Sequence, residues 1–186
     1  AYDLLIQAES GLASITGGPD MPGRVGVSIV DIATGMFAYE AILESLIRRS
    51  SSGFGEKIDI SLFDSISELL TVPYLLDRYG GAGPKRVGLA HPGIAPYGVF
   101  HCKDLKKVLI GVQNEREWQK LVTVVLEIPE LAVDARFMSN ELRVASRDEL
   151  NQIIEEKFSA LSFIEISRSL EKADIAFAPV NELSGL

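Results

Sequence analysis

The chain has 186 residues, 47% hydrophobic and 24% charged, which is enough for one large or two small domains with a sizeable core. A formal net charge of −8 without any Lys/Arg-dense run argues against nucleic acid or an anionic membrane as the main partner, because both require a basic face. A single cysteine, Cys102, rules out an intrachain disulfide and a multi-cysteine zinc centre, and with no membrane-length apolar run and no signal-peptide layout at Ala1-Tyr2-Asp3-Leu4-Leu5 the expected setting is cytoplasmic, or mitochondrial or peroxisomal in a eukaryote.

The first predicted element is a short helix from Tyr2 to Glu9, ended by Gly11. Its amphipathic pattern starts at once and no initiator methionine precedes it, so the sequence reads as cut from something longer. The turn formers Thr16-Gly17-Gly18-Pro19-Asp20 predict a loop to about Arg24. Val25, Val27, Ile29 and Val30 read as an apolar strand leading to Asp31, and helical spacing then runs from Met36 to Ile47, so Asp31 falls at or near a helix start. Ser50 to Gly55 reads as a turn, Lys57 to Ser61 as a short strand, and Leu62 to Tyr79 as a helix interrupted near Pro73.

Gly80, Gly81, Gly83 and Pro84 mark the strongest break in composition, which predicts a linker over residues 80–93. Beyond it, Pro96 to Cys102 and Lys107 to Val112 read as paired strands, followed by helices from Glu115 to Glu127, Ser146 to Leu161 and Ser162 to Lys172. Ser146-Arg147-Asp148-Glu149 has the spacing of a capping box. Tyr39, Tyr74, Tyr79 and Trp118 stand at helical spacing and are expected in a core.

No phosphate loop, GxSxG or HExxH motif is present, and no metal set is expected. His91 and His101 lie in or beside loops without a fixed partner, where an imidazole ordinarily faces solvent or makes a hydrogen bond. Asp31 is the residue that physical chemistry singles out. A carboxylate at a helix start receives backbone N–H groups and the positive end of the helix dipole, so it stays ionised and can attack an acyl carbon. The same placement suits an ordinary N-cap, and spacing does not separate the two.

Several motifs in order carry a family resemblance: Tyr2-Asp3-Leu4-Leu5-Ile6-Gln7-Ala8, Ser10-Gly11-Leu12, Thr16-Gly17, Pro19-Asp20, Gly26-Val27 and Asp31-Ile32-Ala33-Thr34-Gly35-Met36. The pattern continues through Ser52-Gly53-Phe54-Gly55, Ile58-Asp59-Ile60-Ser61-Leu62, Ala90-His91-Pro92-Gly93-Ile94-Ala95-Pro96-Tyr97, Asn140-x-x-Arg143-Val144 and Pro179-Val180-Asn181. Together they resemble the class III coenzyme A transferases of the CaiB/BaiF type over nearly the whole chain.

The resemblance implies an α/β fold, with residues 1–79 as part of a Rossmann-like large domain that carries the catalytic aspartate. Residues 80–93 would form a linker and active-site flap, 94–172 a smaller α+β domain, and 173–186 a return toward the large domain. Family members are about twice this length and form interlocked homodimers. It further implies that coenzyme A passes from an acyl-CoA donor to a small carboxylic acid through an aspartyl anhydride and an aspartyl-CoA thioester, with coenzyme A as substrate and no permanently bound cofactor. Asp31 matches the family's catalytic aspartate. Tyr2 and the flap residues His91, Pro92, Gly93 and Ile94 match positions that meet the substrate, although the flap of some members is glycine-rich.

Two other readings stand beside transfer. Alpha-methylacyl-CoA racemases of the same superfamily use a histidine and an aspartate as acid/base pair; they carry Gly-His-Asp where this chain has Ala1-Tyr2-Asp3, and a glutamate where it has Asn114, so the histidine and a supporting carboxylate are missing. The chain could also be a noncatalytic module that binds coenzyme A or a protein partner. For an acceptor with two carboxylates, Arg24, Lys85, Arg86 and Arg143 are the candidate cations. Asp174-Ile175-Ala176-Phe177 replaces the family's Gly-(Val/Ile)-Pro-x run. The 186 residues alone are expected to self-associate, because their apolar helices lack strands to cover them.

Overall fold

The computed structural model describes residues 1–81 and 83–185. The chain divides into two compact units, Ala1–Gly88 and Leu89–Leu186.

The first unit is helical: α1 (Asp3–Glu9), α2 (Leu12–Ile15), α3 (Ile29–Ser52), α4 (Leu62–Leu69) and α5 (Thr71–Tyr79). Gly11 takes φ +87° between α1 and α2, a left-handed conformation that only glycine adopts without penalty. The break between α4 and α5 lies at Leu70, three residues before Pro73. Proline has no N–H to give to the carbonyl four residues back, and its ring crowds that carbonyl, so the preceding helix stops at Leu69.

The strand expected over Val25 to Val30 is absent, because α3 already begins at Ile29. Lys57 to Ser61 likewise forms no strand, and Ser61 instead caps α4 by accepting the Asp64 N–H at 2.9 Å. Alternation marks a strand only where a neighbouring edge satisfies the backbone, and the first unit has no strand among its described residues. The parallel strands of a Rossmann-like domain are therefore not found among them.

Residues 83–88 are not a free linker. The Arg86 guanidinium donates to the carbonyls of Ser14 (2.8 Å), Gly18 (3.1 Å) and Pro19 (3.2 Å), and Gly88 N–H donates to Gly17 at 3.0 Å. Gly17 itself has φ +112°, and a Cβ there would fall 2.5 Å from the Gly23 nitrogen, so the Thr16-Gly17 motif serves the fold of this loop.

The second unit is built on a three-stranded antiparallel sheet in the order β1 (Tyr97–His101), β2 (Lys107–Gly111), β3 (Ala176–Pro179), with Val99 opposite Leu109 and Ile110 opposite Phe177. Residues 176–179, expected to lead back toward the large domain, thus complete the sheet of the second unit. Helices α6 (Glu115–Lys120), α7 (Asn140–Ala145), α8 (Arg147–Ser159) and α9 (Phe163–Ala173) pack with it, and the segments between them add Leu121, Val122, Leu126 and Phe137 to the core. Phe100, Val108 and Ile110 from the sheet join Trp118, Phe158 and Leu170 in one buried cluster.

Two expectations change in detail here. The helix over Glu115 to Glu127 becomes a π turn at Leu121–Val125, where the β-branched run Val122-Thr123-Val124-Val125 crowds the α-helical turn and Leu126 N–H reaches Leu121 at 2.8 Å. The capping box forms at Ser162 with Glu165, whereas Ser146 makes no side-chain cap. Ser146 also closes α7, and its ψ of 28° turns the backbone away from the extended N-cap conformation.

Candidate functional site

Asp31 is the third residue of α3 and is exposed within the chain; its carboxylate has no hydrogen bond or ion pair among the described residues. The N-capping duty expected of it falls to another carboxylate, far earlier in the chain. Asp3 Oδ1 accepts the Val30 N–H at 2.8 Å, and Asp3 Oδ2 accepts from Gln7 Nε2 at 2.6 Å. Gln7 Oε1 accepts the Val25 N–H at 2.9 Å. Asp3 and Gln7 are both buried, and around them Ile6, Val30 and Ile66 form the small apolar core shared by α1, α3 and α4. Ser28, the residue preceding α3, contributes no side-chain cap, so Asp3 is the side chain that holds the first turn. Tyr2 lies beside this cluster at the start of α1 with its side chain in solvent.

Tyr2 and Asp31 thus lie in the first unit, each next in sequence to one partner of the Asp3–Val30 bond and each with an exposed side chain, whereas His91, Pro92, Gly93 and Ile94 belong to the second. That loop is held closely. His91 Nδ1 accepts the Gly93 N–H at 3.1 Å, which requires the neutral ring nitrogen, and the ring stacks on Tyr97 with centroids 5.5 Å apart. Asn140 donates to the Gly93 carbonyl (2.9 Å) and accepts from Ala95 N–H (3.2 Å). Arg147 donates to the carbonyls of His91 (2.9 Å) and Pro92 (3.2 Å), and burial draws the pKa of its guanidinium down against the opposing pull of Asp148. Asn140, Arg143 and Arg147 follow at three- and four-residue spacing and all bond to this loop or the residue after it, a pattern that sequence alone did not pair with the flap.

Arg143 is not available to a substrate. It is 1% exposed, forms a bidentate pair with Glu115 (2.7 and 3.0 Å) and donates to the carbonyls of Ala95 and Phe137. Arg86 is committed to three carbonyls and Arg24 to those of Val25 and Gly26. Of the four cations only Lys85 has neither a hydrogen bond nor an ion pair among the described residues. Asn114 caps α6 by accepting the Glu117 N–H at 3.0 Å and donating to its carboxylate at 2.7 Å, so it is occupied in structure.

Trp118 is fully buried as expected, while Tyr39, Tyr74 and Tyr79 are exposed, because the helices that carry them extend beyond the small core of the first unit. His101 bonds to Glu155 at 2.8 Å. Cys102 is buried in the second unit, where desolvation first and the nearby charges of Asp104 and Glu155 next push its thiol up to about 11. Among the described residues no group of His, Cys, Asp and Glu could hold a metal ion, and no helix is long and apolar enough to cross a membrane.

Comparison with known proteins gives the family. The profile described as "CoA-transferase family III" matches residues 1–186. An acyl-CoA transferase of Fusarium pseudograminearum is 36% identical over 185 residues, covering 98% of this chain and 40% of that protein. A succinyl-CoA:glutarate CoA-transferase of Mus musculus is 37% identical over 183 residues, covering 98% of this chain and 42% of that protein. The crystal structure of a CAIB/BAIF family protein from Brucella suis superposes with a TM-score of 0.84 at 37% identity, over 99% of this chain and 48% of that one. The chain spans less than half the length of the relatives it matches.

Proposed function

The chain belongs to CoA-transferase family III, and from that premise we propose that the enzyme containing it moves coenzyme A from an acyl-CoA donor to a carboxylic acid, with Asp31 as the nucleophile. The observation that carries this reading is the unengaged Asp31 carboxylate in the first turn of a helix whose start is pinned from a buried cluster.

In the proposed sequence an Asp31 oxygen attacks the thioester carbonyl of the donor; the C–S bond breaks, and the coenzyme A thiolate leaves an acyl-aspartyl anhydride. The thiolate then attacks Cγ of Asp31 and expels the donor's acid as a carboxylate, which leaves aspartyl-CoA. The acceptor carboxylate repeats the first step on this thioester, and the thiolate takes the new acyl group, so Asp31 returns as a free carboxylate and no net proton moves. A carboxylate is a weak nucleophile in water, and a fixed helix-start position reduces the orientational cost of each attack. The loop His91–Ile94, held by Asn140 and Arg147, and Tyr2 are proposed, on the family resemblance, to meet the substrate.

The name of the mouse relative pairs two dicarboxylic acids, and on that similarity the proposed acceptor is a small dicarboxylate, with Lys85 as the cation still open to it. A homodimer and a cytoplasmic setting belong to the same proposal; the unpaired, poorly ionised Cys102 suits a reducing compartment. Racemisation is disfavoured because Tyr2 stands where the racemases carry the histidine of their acid/base pair, and Asn114, in place of a supporting glutamate, is committed to its helix cap.

Asp31→Asn in the intact enzyme is expected to abolish transfer and the covalent adduct while the protein stays folded. Intact-mass spectrometry after mixing with acyl-CoA reads the adduct, and residual turnover above roughly a few per cent would overturn the assignment.

A further inference from the structure

We infer that Asp3 and Gln7 are positioning residues for Asp31, acting through the Asp3–Val30 cap; the inference rests on the reading of Asp31 as nucleophile. Both carboxylate oxygens of Asp3 are engaged and the side chain is buried, so it has no free edge with which to meet a substrate. Its engagement is directed at the residue next to Asp31. The cap on Val30 N–H and the link from Gln7 to Val25 N–H tie α1 to both ends of the segment that leads into α3. Around a helix each residue is turned by roughly 100° from the last, so a first turn that winds differently aims the Asp31 side chain elsewhere. Displacing a reacting group by about 1 Å costs on the order of 100-fold in rate.

The directionality of the three bonds supplies the test. In Asp3→Asn, an amide that offers N–H to Gln7 Nε2 or to Val30 places two donors face to face. In Gln7→Glu, two carboxylates face each other. The exchange Asp3→Asn with Gln7→Glu restores every donor–acceptor pair. The amide introduced at position 3 then donates to the carboxylate introduced at position 7 and accepts from Val30, while that carboxylate also accepts from Val25.

The experiment is steady-state kinetics of the intact enzyme and its variants with acyl-CoA donor, alongside Asp31→Asn and thermal melts. Each single variant is expected to lose on the order of 100-fold in kcat with the KM for donor little changed, and the exchanged pair to recover most of it. The pH profile of kcat should drop in height and keep its limbs, because Asp3 transfers no proton. Wild-type kcat in a folded Asp3→Asn enzyme with a lowered Tm would reduce the cluster to a stability role and overturn the inference. An exchanged pair that stays as slow as Asp3→Asn, or does not fold, overturns it too. Should the single variants not fold, Asp3→Glu decides: it keeps the charge and both acceptors and moves the cap by one methylene, so lowered kcat at unchanged KM supports the inference and wild-type kcat sinks it. Transfer that survives in Asp31→Asn, by contrast, removes the nucleophile assignment itself.

Discussion

Arg143 shows how much a single side chain's surroundings decide. A guanidinium in the motif Asn140-x-x-Arg143 reads as a surface cation for a carboxylate substrate, yet its donors are divided between Glu115 and two carbonyls, and its Cζ lies 4.8 Å from the centroid of the Trp118 ring. It therefore joins the loop before β1 to α6 and α7. A lysine keeps the charge and cannot reproduce the fork, so Arg143→Lys strands buried carbonyls at Ala95 and Phe137. The expected loss is about 2 kcal/mol in urea unfolding, the scale of one or two unsatisfied buried acceptors. A change near zero would mean that water or a neighbour replaces those bonds. Asp3 and Asp31 teach the same lesson in reverse: two aspartates at helix starts have identical side-chain chemistry, and burial assigns one to capping and leaves the other open.

At the scale of elements, the end of α9 explains a departure from the family pattern. Asp174 has φ +55°, the left-handed conformation in which a helix commonly ends and in which glycine is unstrained. At the position where the resemblance implies a glycine this chain has an aspartate, which tolerates the conformation and accepts from Lys120 at 3.2 Å. That pair is mostly exposed at Asp174 and so adds little. Asp174→Gly is accordingly expected to stabilise the protein by up to about 1 kcal/mol, read as a raised midpoint in chemical denaturation. A loss of similar size would show that the ion pair outweighs the backbone strain. The π turn after α6 is a comparable case, in which side-chain branching and not a break in hydrophobic pattern alters the element.

At the scale of the whole molecule, the two units differ in what each buries. The second has a continuous core from the sheet to α9, whereas the first relies on Ile6, Val30 and Ile66 with a few partly buried neighbours. Much of α3 remains uncovered, with Met36 61%, Tyr39 64% and Ile47 70% exposed. Hydrogen exchange of the 186-residue chain should find its slowest amides in β1, β2 and α8, and fast exchange along α3 beyond its first turn. Light scattering should report self-association through the exposed apolar face. Equal protection in both units, with a monomer in solution, would contradict this account.

Local rules were enough for much of this protein. Apolar periodicity and glycine or proline punctuation located α1, the α4–α5 break, the β1–β2 pair, α8 and α9, because those features arise from backbone sterics and from patterns a few residues long. The ordered motifs around Asp31 were enough to point to the family. The partners of each group lay beyond such rules. Nothing near Val30 in sequence announces that Asp3 caps it, nothing in an Asn-x-x-Arg spacing says that Arg143 is buried against Trp118, and the alternation at Lys57 to Ser61 does not reveal that no strand lies alongside. Hydrogen bonds and burial join residues far apart in the chain, so only the tertiary structure could decide which carboxylate is structural, which cation is occupied and which apolar faces are left open.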